Sequence, residues 1–470
     1  MHFSGNSSDT ICALSTANGM AAIAVIRVSG EKALETGSRL FSKNLENVPT
    51  HTVHFGTISN EKGELIDEVL VTVLKGNKSF TGESTIEIAC HGSTYIQQQI
   101  LQLLVRSGCR LAEPGEFTFR AFMNGKMDLS QAEAIADLIH SESKKAHDVA
   151  ILQMRGKFSG ELKELRERLI HFASLVELEL DFAEEDVEFA DRTELKQLVK
   201  DVIAYIERLI RSFELGNAIK NGVPVAIVGA PNTGKSTLLN QLLNEDRAIV
   251  SSIAGTTRDV IEETLNIDGI LFRLIDTAGI REQAEEIEAL GIEKSKQKIQ
   301  QAQIIVVMSD AAVETSTQLG HGTMPTAEAI TWSAELKVQF PKKKIIVLAN
   351  KIDLQKSEES SSAPEDIKVL GISAKEGIGI DAFKSWMVSQ VQSGYDITQE
   401  TIITNARHVS ELEAASVALQ QALNGLETQV SGDFVAMDIR QAMYHLGVIT
   451  GQISEDDILA NIFSKFCIGK

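Results

Sequence analysis

Apolar residues change their period along this chain, and each change marks a different kind of element. Up to about residue 120 they come in short β-rich runs, AIAVIRVSG, EVLVTVL and STIEIACHG, the last leading into the helix-like TYIQQQILQLLVRSG. Such runs predict a small α/β domain over 1–120. Beyond it, Leu162, Leu165, Leu169, Phe172 and Val176 recur every three or four residues with charged residues between them, predicting a long helix with one apolar face. Leu195, Leu198, Val199, Val202, Ile206 and Ile210 repeat that pattern, and so, near the end, do Leu412, Ala415, Val417 and Leu419, then Ala436, Ile439, Met443 and Leu446. Between these helical stretches the runs VPVAIVG, LFRLIDTAG, IIVVMSD, KIIVLANK and IKVLGISA are continuously apolar and end in Gly, Asp or Asn. Strands of that kind belong to a parallel sheet covered on both faces.

Proline placement supports the same division, because proline in a helix interior costs about 3 kcal/mol. Pro49, Pro114, Pro224, Pro231, Pro325, Pro341 and Pro364 leave Gly115–Val223 and the stretch from Glu365 onward free of proline. The expected organisation is an α/β domain at 1–120, a first helical segment at 121–218, an inserted doubly wound α/β domain at 219–384 and a second helical segment at 385–470. The polar stretches TSTQLGHGTMPT and QKSEESSSAPED read as exposed loops of the inserted domain.

Composition narrows the class. The chain has 470 residues with 43% hydrophobic and 23% charged, which suits several globular domains and excludes extended disorder. No apolar run approaches the roughly 18 residues a membrane span needs, and MHFSGNSSDT lacks the basic start and apolar core of a signal peptide, so a cytoplasmic protein is expected. A net charge of −20 repels polyanions at long range and confines nucleic-acid contact to a local patch or to a partner. Cys12, Cys90, Cys109 and Cys467 have neither metal-ligand spacing nor the number for a disulfide framework, and reduced thiols are expected.

The chemistry concentrates in the inserted domain. Gly229-Ala230-Pro231-Asn232-Thr233-Gly234-Lys235-Ser236 matches G-x-x-x-x-G-K-[ST], directly after the run VPVAIV and before the helix-like Thr237-Leu-Leu-Asn-Gln-Leu-Leu. Its glycines let backbone N–H groups wrap phosphates at a helix N-terminus, Lys235 neutralises the β and γ oxygens, and the Ser236 hydroxyl suits Mg²⁺. Asn350-Lys351-Ile352-Asp353 follows KIIVLA at the carboxyl edge of the sheet, where ligands bind. The Asp353 carboxylate can accept both N–H donors of guanine's Watson–Crick edge, a pair adenine lacks, and Ser373-Ala374-Lys375 suits the loop that meets guanine O6. GTP is therefore the expected nucleotide. Asp276-Thr277-Ala278-Gly279 supplies a carboxylate for the Mg²⁺ surroundings and a glycine hinge, and Gly255-Thr256-Thr257-Arg258-Asp259 supplies a threonine for the metal. Ile280 stands where a glutamine commonly orients the attacking water, so either hydrolysis is very slow or a polar group arrives from elsewhere, for which the acidic helix REQAEEIEALGIE offers candidates. Arg258 and Arg281 are the nearby arginines, and the Asn232 side chain can help to hold a monovalent cation that supplies missing positive charge.

Taken together, GAPNTGKST, SSIAGTTRD, DTAGIR, NKID and SAK, with SFTGEST, EPGEFTFRAFMNGKMDLSQAEA and FCIGK, resemble the MnmE (TrmE) family of tRNA uridine-modifying GTPases over essentially the whole chain. The resemblance implies an N-terminal folate-binding and dimerisation domain, a discontinuous helical bundle and an inserted Ras-like G domain. It implies that Asn232 and the carbonyls of Ser251, Ile253 and Thr256 hold K⁺, that Ser236 and Thr257 hold Mg²⁺, and that Ser252, Ala254 and Gly255 complete the loop over GTP. Glu288 matches the family's catalytic glutamate, which orients water. Arg27, Glu87, Lys126 and Lys470 match positions that bind 5-formyl-tetrahydrofolate, and Cys467 is a candidate functional thiol. The implied reaction adds an aminomethyl or carboxymethylaminomethyl group at C5 of the wobble uridine (U34) of certain tRNAs. It is shared with the FAD-carrying flavoprotein MnmG in a heterotetramer or larger complex of homodimers, with tRNA held largely by that partner. Two other readings use the same G domain: a ribosome-assembly GTPase without modification chemistry, and a scaffold whose GTP turnover times release of its partner.

Overall fold

The computed structural model describes residues 9–181, 192–246, 263–275, 299–313, 324–355, 364, 366–391, 400–428, 430–453, 459, 462–464, 466 and 468–469. These form two compact units: residues 1–136, 152–203 and 411–470 in the first, residues 137–151 and 204–410 in the second.

The first unit holds a six-stranded sheet built from β1 (Ile11–Leu14), β2 (Ile23–Ser29), β3 (Thr52–Ser59), β4 (Leu65–Leu74), β5 (Thr85–His91) and β6 (Arg110–Leu111), in the order β3-β4-β5-β2-β1-β6. Only the β1–β6 pairing is parallel. Alternation sorts the side chains: β4 buries Asp67, Val69, Val71 and Val73 and exposes Glu68 and Leu70. Helices α1 (Ala33–Leu40) and α2 (Thr94–Arg106) cover the inner face, where Ile100 and Leu104 join Ile26, Val28, Ile86 and Ile88 in one core. Val53, Phe55 and Leu70 are exposed, with Phe55 directly opposite Leu70 across the β3–β4 ladder.

A buried ionic network ties this sheet to α3 (Glu116–Met123). Glu116 accepts from Arg110 at 2.5 Å and from Arg120 at 3.3 Å, and Arg120 also reaches Glu83 at 3.1 Å. Ser29 donates to Glu83 and shares a 2.7 Å bond with Thr81, so nearly buried charges are all hydrogen-bonded. The helices α6 (Lys157–Asp181) and α12 (Gly432–Thr450) pack along each other, and Arg166 of α6 donates to the Met443 carbonyl and to Gln452. Two stripes predicted from distant parts of the chain thus cover one another; Val417, by contrast, is exposed, because five residues after Leu412 it points away from the face that Leu412, Ala415 and Leu419 bury. Phe463 packs edge-on to Phe119, and Gly115, in the left-handed region at φ 71°, must be glycine because a Cβ would stand 2.4 Å from the Phe463 carbonyl.

In the second unit, β7 (Val223–Val228), β8 (Glu263–Ile267), β9 (Ile270–Leu274), β10 (Ile304–Asp310), β11 (Lys344–Asn350) and β12 (Lys368–Ile372) run in the order β12-β11-β10-β7-β9-β8, parallel except for the β8 edge. Alternate residues face two cores: Val225 and Ile227 meet α8 (Lys235–Asp246) and α10 (Ile380–Val391), whereas Ala226 and Val228 meet α9 (Thr326–Gln339). Both faces are covered, as the continuous apolar runs require. The helix α5 (Lys144–Met154) lies beside the β8–β9 turn, where Lys145 Cγ would be 3.2 Å from a Cβ on Gly269. The Lys145 ammonium is buried with no hydrogen-bond partner among the described residues. Burial holds its pKa below the ordinary 10.5, with the Asp268 charge acting in the opposite direction.

Unfolded chain therefore binds the Lys145 proton more tightly than folded chain, and this group's contribution to stability rises with pH up to the unfolded value near 10.5. Lys145→Met should raise the melting temperature at neutral pH by a few degrees and flatten the rise towards pH ~10. Melting curves across that window check both; an unchanged pH dependence would mean the ammonium is solvated.

Candidate nucleotide site

The chain leaves β7 at the point where strand order reverses, with β9 on one side and β10 on the other. Loops at that carboxyl edge line the crevice of a doubly wound sheet. Residues 229–234 fill this position and run into α8, whose Leu238, Leu239 and Leu242 anchor it in the core.

Local geometry explains the residue types. A Cβ on Gly229 would stand 2.5 Å from the Met308 carbonyl, and one on Gly234, at φ 96°, would stand 2.1 Å from Asn350 Nδ2. Asn232 occupies the left-handed region at φ 59°, which asparagine tolerates better than most residues. Thr233 is fully buried and donates to the Ala230 carbonyl at 2.9 Å. Lys235 Nζ donates to the carbonyls of Gly229 at 2.9 Å and Ala230 at 2.7 Å, so the ammonium closes the loop over its own neck. Ser236 and Thr237 follow in the first turn of α8. Close backbone approach, a helix N-terminus and an inward cation form a cradle suited to phosphate oxygens.

Asn350 unites the site. From the last position of β11 its Nδ2 donates to the Thr233 carbonyl at 2.8 Å, and its Oδ1 accepts from the Ala374 N–H at 2.9 Å. One buried amide thereby joins the phosphate loop to Ser373-Ala374-Lys375. Ser373 and Ile378 exchange backbone bonds of 2.9 and 3.1 Å that close the latter loop. Lys351 is left-handed at φ 67° and caps the single 3₁₀ turn Ile352–Leu354, which leaves Asp353 exposed at the rim. Lys375 is also exposed. The predicted phosphate and base loops are therefore brought to one edge. Residues Ser251 to Thr257, Asp276 to Gly279, Glu288, Cys467 and Lys470 lie outside the described residues.

Known proteins give the same answer. The MnmE helical domain profile matches residues 129–467, and that of the GTP-binding protein TrmE N-terminus matches 10–126. The tRNA modification GTPase MnmE of Cytophaga hutchinsonii is 52% identical over 99% of this chain and 98% of its own length. Those of Flavobacterium johnsoniae and Bacteroides fragilis are 52% and 49% identical, each over 98% of this chain and 99% of the relative. The chain belongs to the MnmE family of tRNA modification GTPases. As a member of this family it is a GTP hydrolase, and the cradle at Gly229–Ser236 fits GTP with Mg²⁺.

In the region matched by the TrmE N-terminus, Arg27 and Glu87 stand opposite one another on β2 and β5 and form an ion pair of 2.8 Å. The Arg27 guanidinium lies 5.5 and 5.6 Å from the ring centres of Phe80 and Phe117 and donates to the Gly469 carbonyl at 3.5 Å. Ser15 donates to the same carbonyl at 3.1 Å. Lys126 is placed differently, with Nζ on the Asn77 carbonyl at 2.7 Å and its stem against Gly82; it makes no bond to Arg27 or Glu87 among the described residues. Cys12, Cys90 and Cys109 are buried free thiols, and burial, aided by the Asp67 charge, pushes Cys90 up to about 11. Motif reading assigned no role to Asp310, Ser15 or the Phe80–Arg27–Phe117 stack; Asp310 left a signal as the polar end of an apolar run, and Phe80 and Phe117 lie within SFTGEST and EPGEFTFRAF.

Asn350→Ala removes both bonds and leaves a buried N–H and a buried carbonyl without this partner. The loss should cost about 1–3 kcal/mol of stability and weaken GDP binding at least about tenfold. Thermal melting and fluorescent-GDP titration measure the two effects; wild-type affinity would show that the loops hold their geometry independently.

Proposed function

We propose that this GTPase uses K⁺ and, together with the FAD-carrying flavoprotein MnmG, adds a carboxymethylaminomethyl or aminomethyl group at C5 of the wobble uridine U34 of certain tRNAs. The observation that carries the reading is the joining of phosphate and base loops through Asn350, in a chain that belongs to a tRNA modification GTPase family. Within it, Lys235 binds the β and γ phosphates and Asp353 reads guanine, with Ala374 at O6. Ser236 and Thr257 hold Mg²⁺, with Asp276 nearby. Asn232 holds K⁺ with the carbonyls of Ser251, Ile253 and Thr256; its left-handed backbone at the lip of the loop supports that role. Bound K⁺ would supply positive charge beside the transferring phosphoryl group, where the motifs give no obvious arginine finger although Arg258 and Arg281 are nearby. Glu288 orients the attacking water, the task that Ile280 cannot perform.

The N-terminal region receives 5-formyl-tetrahydrofolate, whose role when bound is to donate a one-carbon unit. Arg27, Lys126 and Lys470 are cations for its carboxylates and Glu87 an acceptor for pterin N–H groups. The cluster of Arg27, Glu87 and Phe80 supports this reading, because it combines a partly exposed ion pair with a half-buried aromatic ring beside it. The exposed Val53, Phe55 and Leu70 favour homodimerisation through this region.

Two measurements test the proposal. Deletion of the gene should abolish C5 substituents on wobble uridine in nucleoside mass spectrometry of total tRNA, and unchanged nucleosides would exclude the modification reading. GTP turnover should rise with protein concentration in K⁺, fall at least about tenfold in Na⁺, and fall similarly in Glu288→Ala with GTP affinity retained. Equal rates in the two salts would remove K⁺ from the mechanism, and a large loss of affinity in Glu288→Ala would reassign that residue to binding.

A further inference from the structure

The guanine-reading loop has an anchor that none of the nucleotide motifs contains. Asp310 is the last residue of β10 and stands directly opposite Asn350 in the parallel β10–β11 ladder. Its side chain is 4% exposed, and Oδ2 lies 2.5 Å from Lys351 Nζ. Oδ1 accepts from the Ala312 N–H at 3.0 Å, and the adjacent Ala311 N–H donates to the Asn350 carbonyl at 2.7 Å. One strand end therefore grips two consecutive residues of the base loop, Asn350 by its backbone and Lys351 by its ammonium.

The grip bears on Asp353 through Lys351. Lys351 has a left-handed backbone, which a residue with a Cβ adopts only when its surroundings hold it there. It also begins the turn that carries Asp353, since its carbonyl accepts from the Leu354 N–H at 3.0 Å. Asp353 has no burial of its own to fix it, being exposed at the rim. Where its carboxylate stands is thus set by the turn, and the turn by the conformation of Lys351.

We propose that Asp310 is a positioning residue for guanine recognition: its ion pair with Lys351 locks the turn that presents Asp353 to the base. This rests on the reading of Asp353 as the guanine acceptor. The pair is asymmetric in a way that makes it testable. Lys351 is 32% exposed and can turn to water if its partner is neutralised, whereas Asp310 cannot. In Asp310→Asn the side-chain oxygen still accepts from Ala312, so the fold should survive while the ion pair is lost.

The full-length protein with Mg²⁺ is titrated with GDP and with inosine diphosphate, which lacks the 2-amino group and so offers Asp353 one donor fewer. Wild-type protein should prefer GDP. Asp310→Asn should reduce that preference by on the order of tenfold while kcat for saturating GTP changes less than about twofold. Asp310→Glu, which keeps the charge, should recover part of the preference. A purely structural role would lower both affinities together and leave their ratio unchanged, and that result overturns the proposal. Asp310→Ser provides the same comparison if the asparagine variant does not fold. Asp353→Asn separates the underlying reading: it should turn preference towards xanthosine diphosphate. If it does not, the base assignment fails; if it does while Asp310→Asn keeps the wild-type ratio, only the positioning role fails.

Discussion

A single buried amide holds the nucleotide edge together. Phosphate and base loops leave different strands, β7, β11 and β12, and backbone pairing alone does not fix one loop against another beyond the strand ends. Asn350 does so because an amide both donates and accepts, with Thr233 on one side and Ala374 on the other. Aspartate in its place would lose the donor and leucine would lose both functions. The glycines follow from the same contact, since Gly234 must lack a Cβ for the Asn350 side chain to pass. Residue types that look like a phosphate signature are in part a packing requirement of the residue that joins the loops.

Much of this was legible in the chain before any coordinates. Continuous apolar runs such as IIVVMSD and KIIVLANK became β10 and β11, buried on both faces, because a run without polar alternation has no solvent side to offer. The stripes of α6 and α12 were equally plain as helices, but not as neighbours: periodicity reports which face is apolar and carries no information about which distant face covers it. Arg27 and Glu87 each look like a surface charge in isolation. Their pairing depends on strand register, which brings together residues 60 apart in the chain. Asp310 was hidden for a related reason, because its partner is set by the parallel alignment of two strands rather than by spacing within a motif.

Buried charge is handled in different ways at different places in the structure. In the first unit, Glu116, Arg120, Arg110, Glu83 and Ser29 share hydrogen bonds, so a charge removed from water finds several partners. Networks of this type specify one arrangement of sheet and helix, since slipping either would strand an ion. In the second unit, Asp310 is paired with Lys351, whereas Lys145 beside the β8–β9 turn has no hydrogen-bond partner for its buried ammonium among the described residues.

The bond from Arg27 to the Gly469 carbonyl spans 442 residues of chain. On a ribosome adding about 5–20 residues per second, Arg27 emerges tens of seconds before its acceptor exists. The sheet around β2 and β5 can pair early, because all six of its strands lie within residues 11–111. The Arg27–Gly469 contact nevertheless waits until residue 469 has been made, so a nascent chain can carry that sheet before Arg27 has this acceptor.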